Sequence, residues 1–193
     1  IRIGRGEGIQ ADFSFHQHGS CLYNHGYGAD FAMDNARLAA LRHDTPFALS
    51  AEKLALLSAY ILDGCQWLAL GPHRDFGAEG REIARPNQTA RYLGTAAQDM
   101  LQVPTGREAE FRALAARIAG EPEAKPLIGN KHFHRSDMMV HHRPGWYLSA
   151  RMYSNRTMNT DSLSGCEEGL LSHYIAEGAN CIMLHGNEYL NLF

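Results

Sequence analysis

The first part of the chain carries hydrophobic residues at helical spacing. In residues 50–63, apolar side chains recur every three or four positions, and Ser50 stands where a helix N-cap is expected. In residues 106–119, a second apolar stripe begins just after Thr105 and Glu108, which have the spacing of a capping box. The pattern predicts two amphipathic helices, each with one face to bury against a neighbour.

The hydrophobic pattern changes to strict alternation beyond residue 122. Residues 146–152 alternate between two faces, and a Pro-Gly turn signal precedes them. We expect residues 138–142 to pair with that strand as a hairpin, and residues 181–184 to form a further short strand.

Helices followed by strands indicate an α+β fold with separate helical and antiparallel parts, because parallel sheets need alternating strands and helices. The acidic, proline-bearing segment 121–126 resembles a linker. We therefore predict a helical domain over residues 1–120 and the start of an antiparallel β domain over residues 121–193.

Composition narrows the function classes. The chain has 193 residues, of which 45% are hydrophobic and 20% charged, with a formal net charge of −3. A general basic face for nucleic acid is therefore not expected. No apolar run of about 18 residues is present, so no membrane span is predicted.

The two ends of the sequence do not look like the ends of a whole protein. The chain begins without a start Met or a signal-peptide pattern, and residues 188–193 form an apolar stretch with no polar tail. We expect N- and C-terminal parts of the same protein to lie outside this sequence and to contribute to the same site.

The four cysteines give no metal or redox motif. Cys21, Cys65, Cys166 and Cys181 are far apart and contain no C-x-x-C pair, which weighs against a zinc ribbon or a thioredoxin-like site. One or two disulfides, with unknown pairing, remain open.

The densest group of chemically active residues lies in residues 12–28. This non-periodic segment contains three histidines, two tyrosines and three glycines. Glycines let the backbone approach a ligand closely, and the segment also carries proton-transfer and stacking groups. It is interpreted as a binding or catalytic loop.

Three blocks of the chain resemble polysaccharide lyase family 8, the hyaluronate, chondroitin AC and xanthan lyases. The family has a loop of the form D-G-S-F-x-Q-H followed by Y-x-G-x-Y-G, then G-R-x-I-S-R, then N-K-x-Y-x-x-M-D-R-x-V-H-R-R-P-x-W. The similar segments here are residues 12–18 (DFSFHQH), 23–28 (YNHGYG), 80–85 (GREIAR) and 130–146 (NKHFHRSDMMVHHRPGW).

This resemblance implies a fold and an activity. The expected fold is the C-terminal part of an α/α toroid followed by the start of an antiparallel β-sandwich. The expected activity is cofactor-free cleavage of an acidic, uronic-acid-containing polysaccharide of the hyaluronan or chondroitin type by β-elimination. The product would carry an unsaturated uronate, and the location would be secreted, extracellular or periplasmic.

The resemblance also assigns the reaction centre. Elimination removes a proton α to a carboxylate, so the carboxylate charge must be neutralised, and His18 is the candidate. Tyr27 would act first as base and then as acid. Ionising a tyrosine of ordinary pKa, about 10, costs about 4 kcal/mol at pH 7. Arg81 and Arg85 could supply the positive potential that offsets this cost and also bind substrate anions.

Further residues are predicted around this centre. Gln17, Tyr23, Asn24 and Trp67 are the candidates for substrate binding. The family has an acidic residue beyond the hairpin, and Asp161, Glu167 and Glu168 compete for that role. The upstream asparagine that shares carboxylate neutralisation in the family has no visible counterpart in this chain.

Other function classes remain open at the sequence level. The pairs His16-x-His18, His132-x-His134 and His141-His142 suggest a metal site, although adjacent strand residues point to opposite faces and cannot easily share an ion. A non-catalytic glycan-binding module is a further alternative. A hydrolase with paired carboxylates is disfavoured, because residues 12–28 contain a single acidic residue, Asp12.

Overall fold

The computed structural model describes residues 1–159, 161–162 and 167–192. Helices dominate the first part of the chain and antiparallel strands the second. The elements in chain order are β1 (Gly8–Ile9), β2 (Phe15–Gln17), β3 (Cys21–Leu22), α1 (Tyr27–Arg42), α2 (Ala51–Ala59), a π-helical turn (Tyr60–Gly64), a 3-10 turn (Cys65–Leu68), β4 (Ala69–Leu70), β5 (His73–Arg74), two 3-10 turns (Phe76–Ala78 and Gly80–Ala84), α3 (Tyr92–Met100), α4 (Glu108–Ala119), β6 (Gly129–Phe133), β7 (Met138–Arg143), β8 (Trp146–Arg151), α5 (Glu168–Leu171) and β9 (Ala179–Met183).

Both predicted helices are present with the expected start signals. The Ser50 side chain accepts a hydrogen bond from the Lys53 amide at the start of α2, and the helical path continues as the π turn to Gly64. At α4, the Glu108 carboxylate accepts from the Thr105 amide at 3.0 Å, as a capping box requires, although the regular helix begins only at Glu108. Local side-chain chemistry therefore determines these helix starts.

The predicted hairpin is also present. β7 pairs with β8 in an antiparallel register that places Val140 opposite Ser149, and β9 pairs with β8 on its other side. Strand β6 completes a four-stranded sheet at the other edge, next to β7. The sequence pattern did not indicate β6, because only one of its residues, Phe133, is buried.

Two hydrophobic clusters lie under these elements. In the first, three alanines of α1, Ala32, Ala36 and Ala39, are buried at helical spacing and allow close packing against α3. The second joins the inner face of the sheet, including Val140 and Tyr147, to the segment around Phe76 and Ile83. The segment that carries the predicted arginines therefore packs with the sheet.

Buried polar contacts join the helical part to the sheet. Asp75 is fully buried and accepts hydrogen bonds from Tyr147, at 2.5 Å, and from Ser149. Arg151, also buried, donates to the Gly77 carbonyl. Each of these groups loses its partner if the two parts separate, so separation would expose or orphan several polar groups at once.

A second polar junction connects the loop of residues 12–28 to the turn between β6 and β7. His16 Nε2 lies 2.8 Å from Ser136 Oγ, which donates to Ser14 Oγ at 2.8 Å; Ser14 in turn donates to Asp12 at 2.6 Å. Burial lowers the pKa of His16 to about 4. His16 is therefore a neutral structural residue.

The described cysteines Cys21, Cys65 and Cys181 are buried free thiols, and Cys166 lies outside the described residues.

In the part of the chain that the structure describes, no helix is long and apolar enough to cross a membrane.

The buried His16 predicts a loss of stability in acid. The unfolded chain binds a proton at this imidazole below its ordinary pKa of about 6.5, whereas the folded chain does so only near pH 4. The stability that the neutral His16 contributes is therefore fully present above pH 6.5 and decreases as the pH falls towards 4. When the pH falls from 7 to 5, the unfolding free energy of His16→Gln should decrease by about 1 to 2 kcal/mol less than that of the wild type. Urea denaturation at the two pH values measures this difference.

The matched control for this prediction is His134→Gln, because His134 is exposed on the adjacent turn. It should follow the wild-type pH dependence. An unchanged pH dependence in His16→Gln would contradict the neutral buried state of His16.

Candidate active site

Tyr27 is placed by the start of helix α1. It is the first residue of the helix, and Gly26 before it has φ 81°, a left-handed conformation that glycine adopts without strain. A Cβ on Gly26 would stand 2.7 Å from the Tyr23 ring, so the turn also requires a residue without a side chain. The phenol of Tyr27 thus leaves the backbone at the positive end of the helix dipole.

His18 faces the Tyr27 ring from the end of β2. The two ring centroids are 5.0 Å apart with an interplanar angle of 78°. His18 has φ 56°, which costs a residue with a side chain about 1 kcal/mol or more. Glu7 supports this conformation from both sides, because its carboxylate accepts from Gln17 Nε2 at 3.0 Å and from the Gly19 amide at 2.7 Å.

Arg81 connects the tyrosine and the histidine. Its Nη2 donates to the Tyr27 hydroxyl at 3.2 Å, and its Nη1 lies 2.9 Å from His18 Nδ1. Burial would lower the pKa of Arg81, but its contacts with Tyr27 and Asp161 outweigh burial and raise this pKa. Arg81 is therefore a permanent positive charge against the phenol oxygen.

Asp161 completes the contacts around His18. Its carboxylate is buried, with Oδ1 3.0 Å from His18 Nδ1 and Oδ2 3.2 Å from Arg81 Nη1. A guanidinium can only donate, so a hydrogen bond from Arg81 requires a lone pair on Nδ1 and places the imidazole proton on Nε2. A neutral ring whose proton sits instead on Nδ1 would donate to Asp161 and carry a lone pair at Nε2. The contact with Arg81 thus favours the tautomer with an N–H donor at Nε2.

Glu168 bridges the two predicted arginines. It receives two hydrogen bonds from Arg85, at 3.0 and 3.1 Å, and its carboxylate lies 3.4 Å from Arg81 Nε. The hydrogen bonds from Arg85 lower the pKa of Glu168, so it remains ionised. The other side of Arg85 contacts Glu82 at 3.1 Å. Glu82 was not among the residues predicted from the sequence, although its three-residue spacing from Arg85 is typical of an ion pair on one helical turn.

The three competing acids occupy different places. Asp161 contacts His18 and Arg81, and Glu168 contacts both arginines. Glu167 is exposed just before α5. The geometry therefore favours Asp161 and Glu168 over Glu167 as supporting acids.

Two predicted substrate contacts need correction because the residues are fully buried. Asn24 accepts from the Phe15 amide at 2.7 Å and donates to the Phe13 carbonyl at 3.1 Å, so both ends of its amide hold the loop together. Tyr23 lies under the site, with its ring 5.1 Å from that of Tyr27. Neither side chain can stack on a sugar.

Tyr23 also differs chemically from Tyr27. Burial raises the pKa of Tyr23, and the negative charge of Asp161 raises it further. Tyr23 therefore stays a neutral phenol, whereas the Tyr27 hydroxyl contacts the arginine. The geometry singles out Tyr27 as the tyrosine suited to proton transfer.

The remaining predicted contacts lie apart from each other. Gln17 is half-buried next to His18, and its role in substrate binding stays a prediction. Trp67 packs instead against the sheet: a Cβ on Gly129 would stand 3.0 Å from its ring, and the His142 ring is 5.7 Å away. None of the contacts found for Trp67 within the described residues involves His18 or Tyr27.

The adjacent histidines His141 and His142 lie in different environments. His142 is buried and contacts the Trp67 carbonyl at 2.9 Å, whereas His141 stacks on Trp146. Within residues 1–159, 161–162 and 167–192, no group of three or more His, Cys, Asp or Glu side chains is arranged to hold a metal ion.

Comparison with known proteins identifies the class to which this fold and site belong. The profile of the N-terminal α-helical domain of polysaccharide lyase family 8 matches residues 2–119, and that of the family's super-sandwich domain matches residues 128–193. The chain belongs to polysaccharide lyase family 8. The predicted fold class, a helical part followed by the start of an antiparallel β-sandwich, is confirmed.

Individual relatives lie among the chondroitin AC and xanthan lyases. Chondroitinase-AC of Pedobacter heparinus is 35% identical over 192 residues, which cover 96% of this chain and 27% of that protein. A solved structure of chondroitinase AC lyase, described with oligosaccharide complexes, has a TM-score of 0.90 at 33% identity and covers 99% of this chain and 29% of its own.

More distant structures show the same fold. A Paenibacillus xanthan lyase has a TM-score of 0.84 at 18% identity, over 100% of this chain and 22% of its own. The chondroitin AC lyase of Streptomyces coelicolor A3, in complex with chondroitin sulphate, has a TM-score of 0.82 at 18% identity, over 100% of this chain and 32% of its own. This chain thus spans less than a third of the length of the proteins it matches.

The close packing of Tyr23 against the arginine-bearing turn can be tested with Gly80→Ala. Gly80 has φ 53°, and a Cβ there would stand 2.4 Å from the Tyr23 ring. The clash should cost about 1 to 3 kcal/mol beyond the backbone strain, measured as unfolding free energy. Gly120→Ala is the control, because Gly120 has φ 72° but no heavy atom within 4 Å of the added Cβ. Equal losses in both variants would contradict the packing described.

Proposed function

We propose that the protein to which this chain belongs is a lyase that cleaves a uronic-acid-containing polysaccharide by β-elimination. The observation that carries this proposal is the contact of Arg81 Nη2 with the Tyr27 hydroxyl at 3.2 Å, beside the ring of His18. This combination provides a phenol that can lose a proton beside a fixed positive charge and a donor for an anionic substrate group. The family membership supports the same activity.

The first step is removal of the proton α to the uronate carboxylate. Tyr27, as phenolate, takes the proton from C5 of the uronate, and the developing negative charge moves onto the carboxylate. The Arg81 guanidinium next to the phenol oxygen provides positive charge for the phenolate form.

His18 is assigned to the carboxylate. In the tautomer that accepts from Arg81 at Nδ1, the proton is on Nε2, and Nε2 has no protein partner among the described residues. This N–H is free to donate to the substrate carboxylate and to stabilise the charge that forms there. Asp161 holds the Arg81 guanidinium that makes the contact with Nδ1.

The second step breaks the bond between C4 and the leaving oxygen. The electron pair forms the C4–C5 double bond, and Tyr27 returns its proton to the leaving oxygen. The products are an unsaturated uronate and a new chain end. The step needs no cofactor, because Tyr27 returns to the phenolate with which the cycle began.

The names of the relatives guide the choice of substrate. They are a chondroitinase and lyases acting on chondroitin and xanthan, and we place this protein with the chondroitin or hyaluronan type. Arg85 would bind substrate carboxylate or sulfate, since its guanidinium is partly exposed. A secreted or periplasmic location fits a polymeric substrate and stays a prediction.

Tyr27→Phe in the full-length parent protein should abolish the ultraviolet absorbance of the unsaturated product, because the group that transfers the proton is removed. Binding to chondroitin or hyaluronan, measured by calorimetry, should change little. The control is Tyr153→Phe, which removes an exposed hydroxyl and should behave as wild type. Product formation by Tyr27→Phe at a near-normal rate would rule out the proposed mechanism.

His18→Ala should lower kcat by roughly three orders of magnitude, since one donor to a developing oxyanion is worth about 10²–10³ and its loss also disturbs Tyr27. Steady-state kinetics on the same glycans check this value. Glycan binding without any absorbance change in the wild type would instead favour a non-catalytic binding module.

A further inference from the structure

Glu82 lies between the two site arginines in sequence and contacts the second of them, Arg85. Its carboxylate accepts from Arg85 Nη1 at 3.1 Å, and its other oxygen is 3.6 Å from Nη2 of Arg74. The side chain is 12% exposed. Glu82 thus joins a site arginine to an arginine on strand β5 that is buried and has no contact with the Tyr27 phenol.

The same carboxylate touches the turn that delivers Tyr27. A Cβ on Gly26 would stand 2.7 Å from Glu82 Oε1, so the carboxylate rests against the Cα of the residue that precedes the tyrosine. Gly26 has φ 81°, and no other residue type fits this approach without moving Glu82. Glu82 therefore contacts the backbone on one side and the arginine on the other.

Arg74 gives Glu82 a fixed anchor. Arg74 forms a buried ion pair with Glu79 and a longer contact, at 3.6 Å, with Glu82. The two carboxylates therefore share one buried guanidinium, and this contact limits how far the Glu82 carboxylate can move.

From Glu82 a series of alternating charges leads to the phenol. Glu82 holds one edge of the Arg85 guanidinium, so that Arg85 directs its Nε and Nη2 at Glu168. Glu168 contacts Arg81 at 3.4 Å, and Arg81 contacts Tyr27. Moving the first carboxylate would change the position of each later group.

We propose that Glu82 is a positioning residue for the site: it fixes Arg85, and through Arg85 and Glu168 the cation beside Tyr27. The inference rests on the proposed lyase function. Loss of the Glu82 charge leaves the positive charge of Arg85 available to substrate but loosens the cation beside Tyr27, so kcat should fall by more than KM rises.

Glu82→Gln in the full-length parent protein tests the proposal. The amide keeps the shape but loses the charge, and its NH2 group would face guanidinium donors. We expect kcat to fall roughly 10-fold or more while KM changes by less than about threefold. The control is Glu110→Gln, because Glu110 on helix α4 also forms an ion pair with an arginine three residues away, Arg107, just before the helix. This control should keep kcat within about twofold of wild type.

A double-mutant cycle separates positioning from general destabilisation. If Glu82 acts through Arg85, Glu82→Gln should change kcat by less than about twofold in an Arg85→Gln background. Additive losses would overturn the proposal, since they would mean that Glu82 acts independently of Arg85. If Glu82→Gln lowers the thermal midpoint so far that kinetics fail, Glu82→Asp serves instead. It keeps the charge but cannot reach both arginines, and a wild-type kcat for this variant would overturn the proposal.

The outcomes for the two proposals are distinguishable. A wild-type protein that forms no unsaturated product removes the lyase function and the role of Glu82 with it. An active wild type whose Glu82→Gln variant matches Glu110→Gln removes only the role of Glu82.

Discussion

The Arg81 guanidinium makes the contacts on which the rest of the site depends. Nη2 faces Tyr27, Nη1 faces His18 and Asp161, and Nε faces Glu168. Two carboxylates and one phenol thus compete for one charge. The planar guanidinium resolves this competition by presenting separate N–H groups along its edges, so the acids can fix its position without displacing the phenol. A lysine, with its single charged nitrogen, could not serve these directions together.

Much of the fold could be predicted from local patterns. Three features depend on residues close together in sequence: the N-cap of α2, the Glu108 contact with the Thr105 amide at α4, and the hairpin of β7 and β8. Periodicity and capping chemistry were therefore sufficient to predict them. Strands β1 to β3 were not predicted, because each has only two or three residues and shows no alternation of apolar and polar residues.

The site could be predicted only in part, because burial is a property of the folded chain. Tyr23 and Asn24 share the loop and the chemistry of true ligand-binding residues, yet both are fully buried. The distinction between Asp161 and Glu167 also depends on contacts with His18, 143 residues away from Asp161 in sequence. Sequence spacing indicated these acids as candidates but could not show which of them contacts His18.

The arginine-bearing turn is attached to the sheet. Asp75 and Gly77 bind strand β8, and Ile83 belongs to the cluster under the sheet, whereas Tyr27 packs on the helical cluster. The phenol and the cation beside it therefore pack on different hydrophobic clusters, although both precede the predicted linker in the chain. A rotation that opens the helical part from the sheet carries Arg81 away from Tyr27. A molecule that wedges the two clusters apart would separate the phenol from its cation without contacting either group.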